Sequence, residues 1–422
     1  MSTKPLKVYG NKIRDSGGNV FYLRGVNRPQ FSEGPAGQWC LPYANTYDRI
    51  WVNRVLTQMQ SYGFTALRCF IDASFWVNNP TVQTDSGTLS FRQVLDDFLT
   101  RCGNHGLYVV LVGSHVNQIQ VSYPYGSMAK GQTLFNQQTF RDYVVDQVRV
   151  LGGHNNLVIE PWNEPISGWL GEGVADLALW QNDWQAIING VRAIEEELGY
   201  VSHLVIAGFF TSLCSWTTTE EFANFNYVNN YPLFDPDGNL VYTIHCYRLD
   251  DFGNPGGSMG TIPPYPDITS LPHTYEAIKA IFQQERLDTF SASHPVFIGE
   301  IGANVYRDAS NDSDFLKNAL QIFNEWGISY TGWWWRNEAI GAYQLVVAET
   351  EATSGGTLNL NGEVLSDAIK SATPPLPIVV APIELDISEE VKVNIGFLLI
   401  LLMLCTILLL VGFGISRKRG FK

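Results

Sequence analysis

The sequence is short of positive charge and lacks any paired-cysteine motif, and each shortage removes a class of function. It carries 27 Lys and Arg against 41 Asp and Glu, a formal net charge of −14. Phosphate binding calls for clustered Lys and Arg, so nucleic acid is excluded as a partner. The six cysteines, Cys40, Cys69, Cys102, Cys214, Cys246 and Cys405, are scattered without Cys-x-x-Cys spacing, which argues against zinc. Cys405 lies inside an apolar tail, so an odd number remains elsewhere. No disulfide framework follows, and the redox compartment stays open. Met1 to Asn19 is polar and charged, without an apolar stretch resembling a signal-peptide core.

Aromatic residues are plentiful, with 12 Trp, 19 Tyr and 23 Phe. They suit a protein that stacks rings on flat apolar faces such as sugars, or equally one with a large core. The length of 422 residues exceeds that of a usual domain, although a single α/β barrel runs to about 250 residues or more.

From Val20 onward, strand-like runs alternate with helical periodicity. The strand candidates are Val20–Asn27, Phe64–Phe70, Tyr108–Val112, the run Leu157 to Ile159, Leu204–Ala207, Leu240–Tyr247, the run Val296 to Ile298, and Ser329–Trp335. Between them, Ile50, Val55, Met59 and Tyr62 mark one helical face, and helices are expected at Phe91–Asn104 and around Phe140 to Leu151. Further helices are expected within Leu177–Leu198, at Thr274–Phe290, at Ser313–Glu325 and at Glu363–Ser371. Eight strands alternating with helices argue for a parallel α/β fold. A doubly wound sheet alternates too, but polar residues recur at the carboxyl ends of many different strands, which suits a (β/α)8 TIM barrel better.

Beyond the barrel, residues 372–394 read as a Pro-rich and then acidic linker, with Pro374, Pro375, Pro377 and Pro382 making a semi-extended spacer. Ile395–Ile415 is an uncharged, mostly apolar run. At about 20 residues and 1.5 Å each it spans roughly 30 Å, the thickness of a bilayer's hydrocarbon core. We therefore expect a single transmembrane helix at 395–415, closed by the basic tail 416–422. The basic tail predicts a cytoplasmic C-terminus and a barrel on the extracytoplasmic side. The polar start of the chain, where no signal peptide is visible, pulls the other way. The sequon Asn311-Asp-Ser313, ahead of a helix, would carry glycan only in a secretory lumen.

Two strands end in acids. Asn156-Leu-Val-Ile-Glu-Pro-Trp-Asn-Glu-Pro165 is an apolar run that breaks at Pro165, which restricts Glu164 to extended backbone where a buried strand becomes a loop. His294-Pro-Val-Phe-Ile-Gly-Glu-Ile-Gly302 repeats the design, with Glu300 between glycines. Two carboxylates at the carboxyl ends of buried strands are what a retaining glycosidase needs. One protonates the leaving oxygen and the other attacks the anomeric carbon, at a carboxyl separation of about 5–5.5 Å.

These two motifs, with Leu23-Arg-Gly-Val-Asn27, Leu67-Arg68, His115, His245-Cys-Tyr247 and Trp333, resemble those of the cellulase-type glycoside hydrolases. That is glycoside hydrolase family 5, in the clan of (β/α)8 retaining glycosidases. The resemblance runs from about Val20 to Ser371 and implies a catalytic domain over residues 20–371, preceded by an N-terminal segment, 1–19. It implies that Glu164 is the general acid/base and Glu300 the nucleophile. It further implies that Arg68 holds the nucleophile ionised, Asn163 donates to the sugar 2-hydroxyl and Tyr247 hydrogen-bonds the nucleophile. His115 and His245 would line the cleft, and Trp333 would form the platform beneath the sugar, with Trp335 the choice if the register slips. Trp39 and Trp76 are outer platforms or plain core. No metal or organic cofactor is implied.

The acid needs its pKa raised by burial and by the second carboxylate, while the nucleophile needs a close cation. Two departures from the family pattern leave the substrate open: Gly113 stands where an acid often precedes the histidine by two, and the Gly/Pro-rich loop Asp250–Asp267 is long. The expectation is a retaining endo-acting β-glycosidase on a β-linked polysaccharide such as cellulose, another β-glucan or mannan. Alternatives are a membrane-anchored glycan-binding protein without catalysis, and an exo-glycosidase or transglycosylase on the same barrel.

Overall fold

A computed structural model describes residues 3–31, 46–114, 137–163, 177–213, 226–247, 273–303, 309–333, 335, 345–348 and 357–372. The chain divides into two compact units, Met1–Pro375 and Leu376–Lys422, and only the first holds described residues. The expected linker beyond Ala372, the span at 395–415 and the basic tail lie outside them. Among the described residues no helix is long and apolar enough to cross a membrane.

The eight apolar runs become eight parallel strands that close on themselves. We label them β1 (Arg24–Phe31), β2 (Ala66–Asp72), β3 (Tyr108–Ser114), β4 (Leu157–Glu160), β5 (Leu204–Leu213), β6 (Leu240–Tyr247), β7 (Val296–Gly302) and β8 (Ser329–Gly332). Each pairs in parallel with the next in the chain, and β8 returns to β1 through Tyr330 opposite Arg24 and Thr331 opposite Gly25. Closure excludes the doubly wound sheet. Gly25 is required where β1 meets β2: a side chain there would drive its Cβ to 1.8 Å from the Ala66 carbonyl oxygen.

Helices follow the strands: α1 (Arg49–Ser61), α2 (Phe91–Asn104), α3 (Gln137–Leu151), α4 (Leu177–Leu198), the short α5 (Asn226–Asn230), α6 (Tyr275–Gln284), α7 (Ala309–Trp326) and α8 (Leu360–Ser371). Local chemistry fixes their starts. The Asp48 carboxylate accepts from the Ile50 and Trp51 amides to cap α1, and Ser90 with Gln93 forms a capping box on α2. The expected face of α1 is partly wrong, since Ile50 is 60% exposed while Trp51, Val52, Val55, Leu56 and Met59 are buried. The expected helix Thr274–Phe290 is two: Arg286 takes φ 60° and separates α6 from a second helix, Leu287–Ser293. The sequon Asn311-Asp-Ser313 lies inside α7 rather than ahead of it.

Strand alternation sorts side chains into two layers. Outward residues such as Leu67, Cys69, Val109, Ile159, Val205, Ile244 and Ile298 pack under the helices. Inward residues fill the barrel, and their character changes along it. At the amino ends they are apolar, including Ala66, Val158, Leu204, Val241 and Phe297. At the carboxyl ends they are Asn27, Arg68, Glu160, His245 and Glu300, all buried. One end of the barrel is therefore ordinary core, while the other concentrates polar groups.

The segment before the barrel seals the apolar end. Lys7–Tyr9 and Lys12–Arg14 form an antiparallel hairpin that turns at Gly10 (φ 62°). Leu6 and Ile13 join the interior cluster, and the Tyr108 hydroxyl donates to the Lys4 carbonyl oxygen at 2.6 Å. Cys69 and Cys102 are free and buried, and Cys246 is buried. Burial pushes the Cys69 thiol up to about 12 and the Cys102 thiol well above its ordinary value, which leaves both chemically inert.

Candidate active site

The polar end of the barrel is organised by one guanidinium. Arg68 stands mid-way along β2 on the inward face, fully buried, and its five N–H donors all find acceptors. Nε donates to Glu160 Oε2 at 2.8 Å and Nη2 to Glu160 Oε1 at 2.5 Å. Nη1 donates to Glu300 Oε1 at 2.8 Å and to Asn27 Oδ1 at 2.9 Å. The remaining Nη2 hydrogen goes to Asn163 Oδ1 at 2.8 Å. Burial by itself would lower the Arg68 pKa, but Glu160 and then Glu300 overcome it and hold the group above its ordinary value. The guanidinium carbon also sits 4.8 Å from the centroid of the Phe70 ring.

Glu300 is presented by a break in β7. Ile244 of β6 pairs with Ile298, but His245 pairs with Glu300, so Gly299 is an extra residue, a bulge that turns the next side chain inward. Only glycine fits there, because a Cβ would lie 2.9 Å from Thr243 Oγ1 and 3.1 Å from the His245 ring. The second Glu300 oxygen, Oε2, accepts from the Tyr247 hydroxyl at 2.5 Å, with His245 Nδ1 3.5 Å away. His245 and Tyr247 share the inward face of β6, as their two-residue spacing requires. Glu300 is thus a buried carboxylate with a cation on one oxygen and a phenol on the other.

Asn27 fixes the floor of this arrangement. Its side-chain amide donates to the Gly299 carbonyl at 2.9 Å and to Thr331 Oγ1 at 3.2 Å, so β1, β7 and β8 are tied together beneath the carboxylates. Asn163 is held after β4 by its backbone N–H, which donates to the Gly113 carbonyl at 2.8 Å.

The expected residues Arg68, Asn163, His245, Tyr247 and Glu300 therefore meet in one cluster. Trp333 sits beside it, edge-on to Phe70 with ring centroids 5.5 Å apart. The strand expected over Ser329–Trp335 ends at Gly332, so period-two alternation does not carry on to Trp333 and Trp335. Trp333 packs against the barrel interior, while Trp335 is fully buried in the outer layer, 6.0 Å from both the Tyr62 and Phe64 rings. Trp76 is core as well: it is 1% exposed, its Nε1 donates to Asp146 at 3.0 Å, and Arg92 covers its face. Glu164, His115 and Trp39 lie outside the described residues. Glu160 and Phe70 are members of the cluster that the sequence did not single out. The available signal for Glu160 was its place two residues after Val158, on the inward face at the strand's carboxyl end. No group of three or more His, Cys, Asp or Glu among the described residues is arranged to hold a metal ion.

A closed (β/α)8 barrel with an arginine-bridged pair of carboxylates at its carboxyl end defines a class of protein, and comparison narrows it. The chain matches the family description "Cellulase (glycosyl hydrolase family 5)" over residues 15–339 and belongs to that family. A mannan endo-1,4-beta-mannosidase of Cellvibrio japonicus (strain Ueda107) is 22% identical over 362 residues, which are 85% of this chain and 65% of that protein. The chain thus spans somewhat less than two thirds of that relative. Among solved structures, the catalytic domain of the major endoglucanase from Xanthomonas campestris pv. campestris aligns with a TM-score of 0.61 at 17% identity, covering 86% of this chain and 99% of that one. A hyperthermophilic endocellulase from the archaeon Pyrococcus horikoshii aligns at 0.60 and 17%, covering 87% and 99%. At such identities the structural likeness concerns the fold.

Proposed function

We propose that this chain is a retaining, endo-acting β-glycosidase that hydrolyses a β-linked polysaccharide of glucan or mannan type. The observation that carries this is Glu300, a buried carboxylate oriented by Arg68 and Tyr247 at the mouth of a family 5 barrel. Glu300 attacks the anomeric carbon and forms a glycosyl ester as the glycosidic bond breaks. Glu164 gives its proton to the departing oxygen, then takes one from the water that cleaves the ester. The Tyr247 hydroxyl and Arg68 hold the attacking carboxylate to one orientation, and Asn163, locked onto Arg68, is available to the sugar 2-hydroxyl. Endoglucanases and a mannan endo-mannosidase among the relatives support an internal cut in a β-linked chain. A purely glycan-binding role leaves the nucleophile's setting without a purpose.

The test is release of reducing ends from carboxymethyl cellulose, mixed-linkage β-glucan and galactomannan by the full-length chain, beside Glu300→Gln and Glu164→Gln. We expect cutting of at least one polymer and its near-complete loss in both variants. A chain that cuts none, yet binds one equally well in all three forms, contradicts the proposal and favours the anchored glycan-binding protein.

The apolar run Ile395–Ile415 and the basic residues after it support a second element, a single C-terminal membrane anchor with the barrel on the extracytoplasmic side. Protease added to intact cells or particles should then digest the barrel; complete protection would rule that orientation out.

A further inference from the structure

Arg68 is shared. Its charge faces two buried carboxylates, and the larger part of its bonding goes to Glu160, which takes two of the five donors in a fork, against one for Glu300. With Asn27 and Asn163 accepting the other two, the guanidinium has no unused N–H and no freedom to rotate. A planar fork gripped bidentately is fixed in plane and direction, which a single charge-to-charge contact would not achieve. Glu160 is also the residue that joins β4, the strand leading to Asn163, to β2, so Arg68 Nη2 holds Glu160 and Asn163 from one nitrogen.

We propose that Glu160 is a positioning residue of the reaction: it clamps the Arg68 fork and divides its charge with Glu300, so that the nucleophile is oriented without being over-neutralised. This rests on the function proposed above. The charge count explains why the division matters. Arg68, Glu160 and Glu300 together carry one positive and two negative charges, leaving the cluster one net negative charge in a buried place. An arginine belonging to Glu300 alone would form a closed ion pair, and a carboxylate so stabilised attacks carbon less readily. Among the described residues, Tyr247 and His245 of β6 also face Glu300, and the neutral Asn27 of β1 shares Arg68 Nη1 with it; in the proposed mechanism the acid/base Glu164 faces it as well. Among the described residues, Glu160 is the second carboxylate on the Arg68 guanidinium.

The experiment compares kcat and kcat/KM against pH for the full-length wild type, Glu160→Gln and Glu160→Asp, on the polysaccharide the wild type cuts best. Glu160→Gln keeps the length but removes the competing charge, and its amide oxygen accepts only part of the fork, so the Arg68 charge acts on Glu300 alone. The acidic limb of kcat/KM should then move to lower pH by about one unit, and kcat should fall by about tenfold or more. Glu160→Asp keeps the charge but draws the carboxylate back, so the limb should stay at the wild-type pH while kcat drops. The aspartate variant alone still decides the matter if the glutamine variant does not fold, because wild-type kcat in Glu160→Asp contradicts a clamp. An acidic limb unmoved in a folded, active Glu160→Gln overturns the division of charge. A wild type that cuts nothing overturns the proposed function and this inference with it, a result distinct from an active enzyme with an unmoved limb.

Discussion

Two buried arginines in this molecule are built alike and used differently. Arg68 bridges Glu160 and Glu300 inside the barrel; Arg192, on α4, bridges Glu195 and Asp235 outside it. Arg192 grips Asp235 bidentately, with Nε and Nη2 each donating at 2.8 Å, and donates from Nη1 to Glu195 Oε2 at 2.6 Å. The difference lies in what holds the carboxylates. Asp235 also accepts the backbone N–H groups of Asp237 and Asn239, and Glu195 Oε1 accepts from the His203 backbone N–H at 3.0 Å, with His203 Nδ1 at 2.7 Å. Those partners are fixed parts of a helix and two turns, so that cluster welds α4 to the starts of β5 and β6. Around Glu300 the described partners are side chains, Arg68, Tyr247 and His245, that project into the polar end of the barrel. The same ion triad is a rivet in one place and, on the function proposed above, a reaction centre in the other.

The largest expected effect follows from breaking the reactive member. Glu300→Gln should reduce turnover at least about a thousand-fold while leaving a folded protein, checked by activity together with circular dichroism. Next come the two arginines. Arg68→Met and Arg192→Met each strand two buried carboxylates, so each should cost about 3–5 kcal/mol in urea unfolding. Folded Arg192→Met should keep wild-type kcat, whereas Arg68→Met should lose it. Equal loss of kcat in both would erase the distinction between rivet and reaction centre.

A pH series sharpens the comparison further. Burial alone would raise the Asp235 pKa, but the Arg192 bonds and the two backbone amides outweigh it and hold the carboxyl below the usual range. Its contribution is therefore fully present above the unfolded value of about 3.9 and disappears as pH falls through the folded value. Asp235→Asn should be clearly less stable than wild type at pH 7, with the gap narrowing at about pH 3, as read by unfolding curves at both pH values. The smallest effect is expected from Gly299→Ala. Its new methyl group meets Thr243 and the His245 ring, so His245 should shift and kcat fall by about tenfold, with a stability loss of about 1–3 kcal/mol.

How much of this was legible depended on whether the signal was local. Buried strands announce themselves as apolar runs, and Leu240–Tyr247 is found with the bounds expected. Strand ends were harder where polar residues continue the ladder: β2 runs to Asp72 and β3 to Ser114, past the apolar stretches that marked them. Arg286 split an expected helix because an arginine in the left-handed region carries no composition signal. In the site, Glu300 was visible from its Gly-Glu-Ile-Gly setting at a strand end. Glu160 was not, because its meaning is its pairing with Arg68, 92 residues away in the chain. Trp335 illustrates the opposite limit: period-two alternation holds only while the strand lasts, and β8 stops three residues earlier.

The most direct test of the central claim, that Glu300 is the attacking carboxylate, is covalent trapping. The full-length chain is incubated with a 2-deoxy-2-fluoro β-cellobioside or β-mannobioside bearing an activated leaving group, then digested and analysed by mass spectrometry. The account predicts one added glycosyl unit per chain, on the peptide containing Glu300, and slower labelling in Glu160→Gln. A label on any other residue, or an active enzyme whose single labelled peptide lacks Glu300, would contradict it.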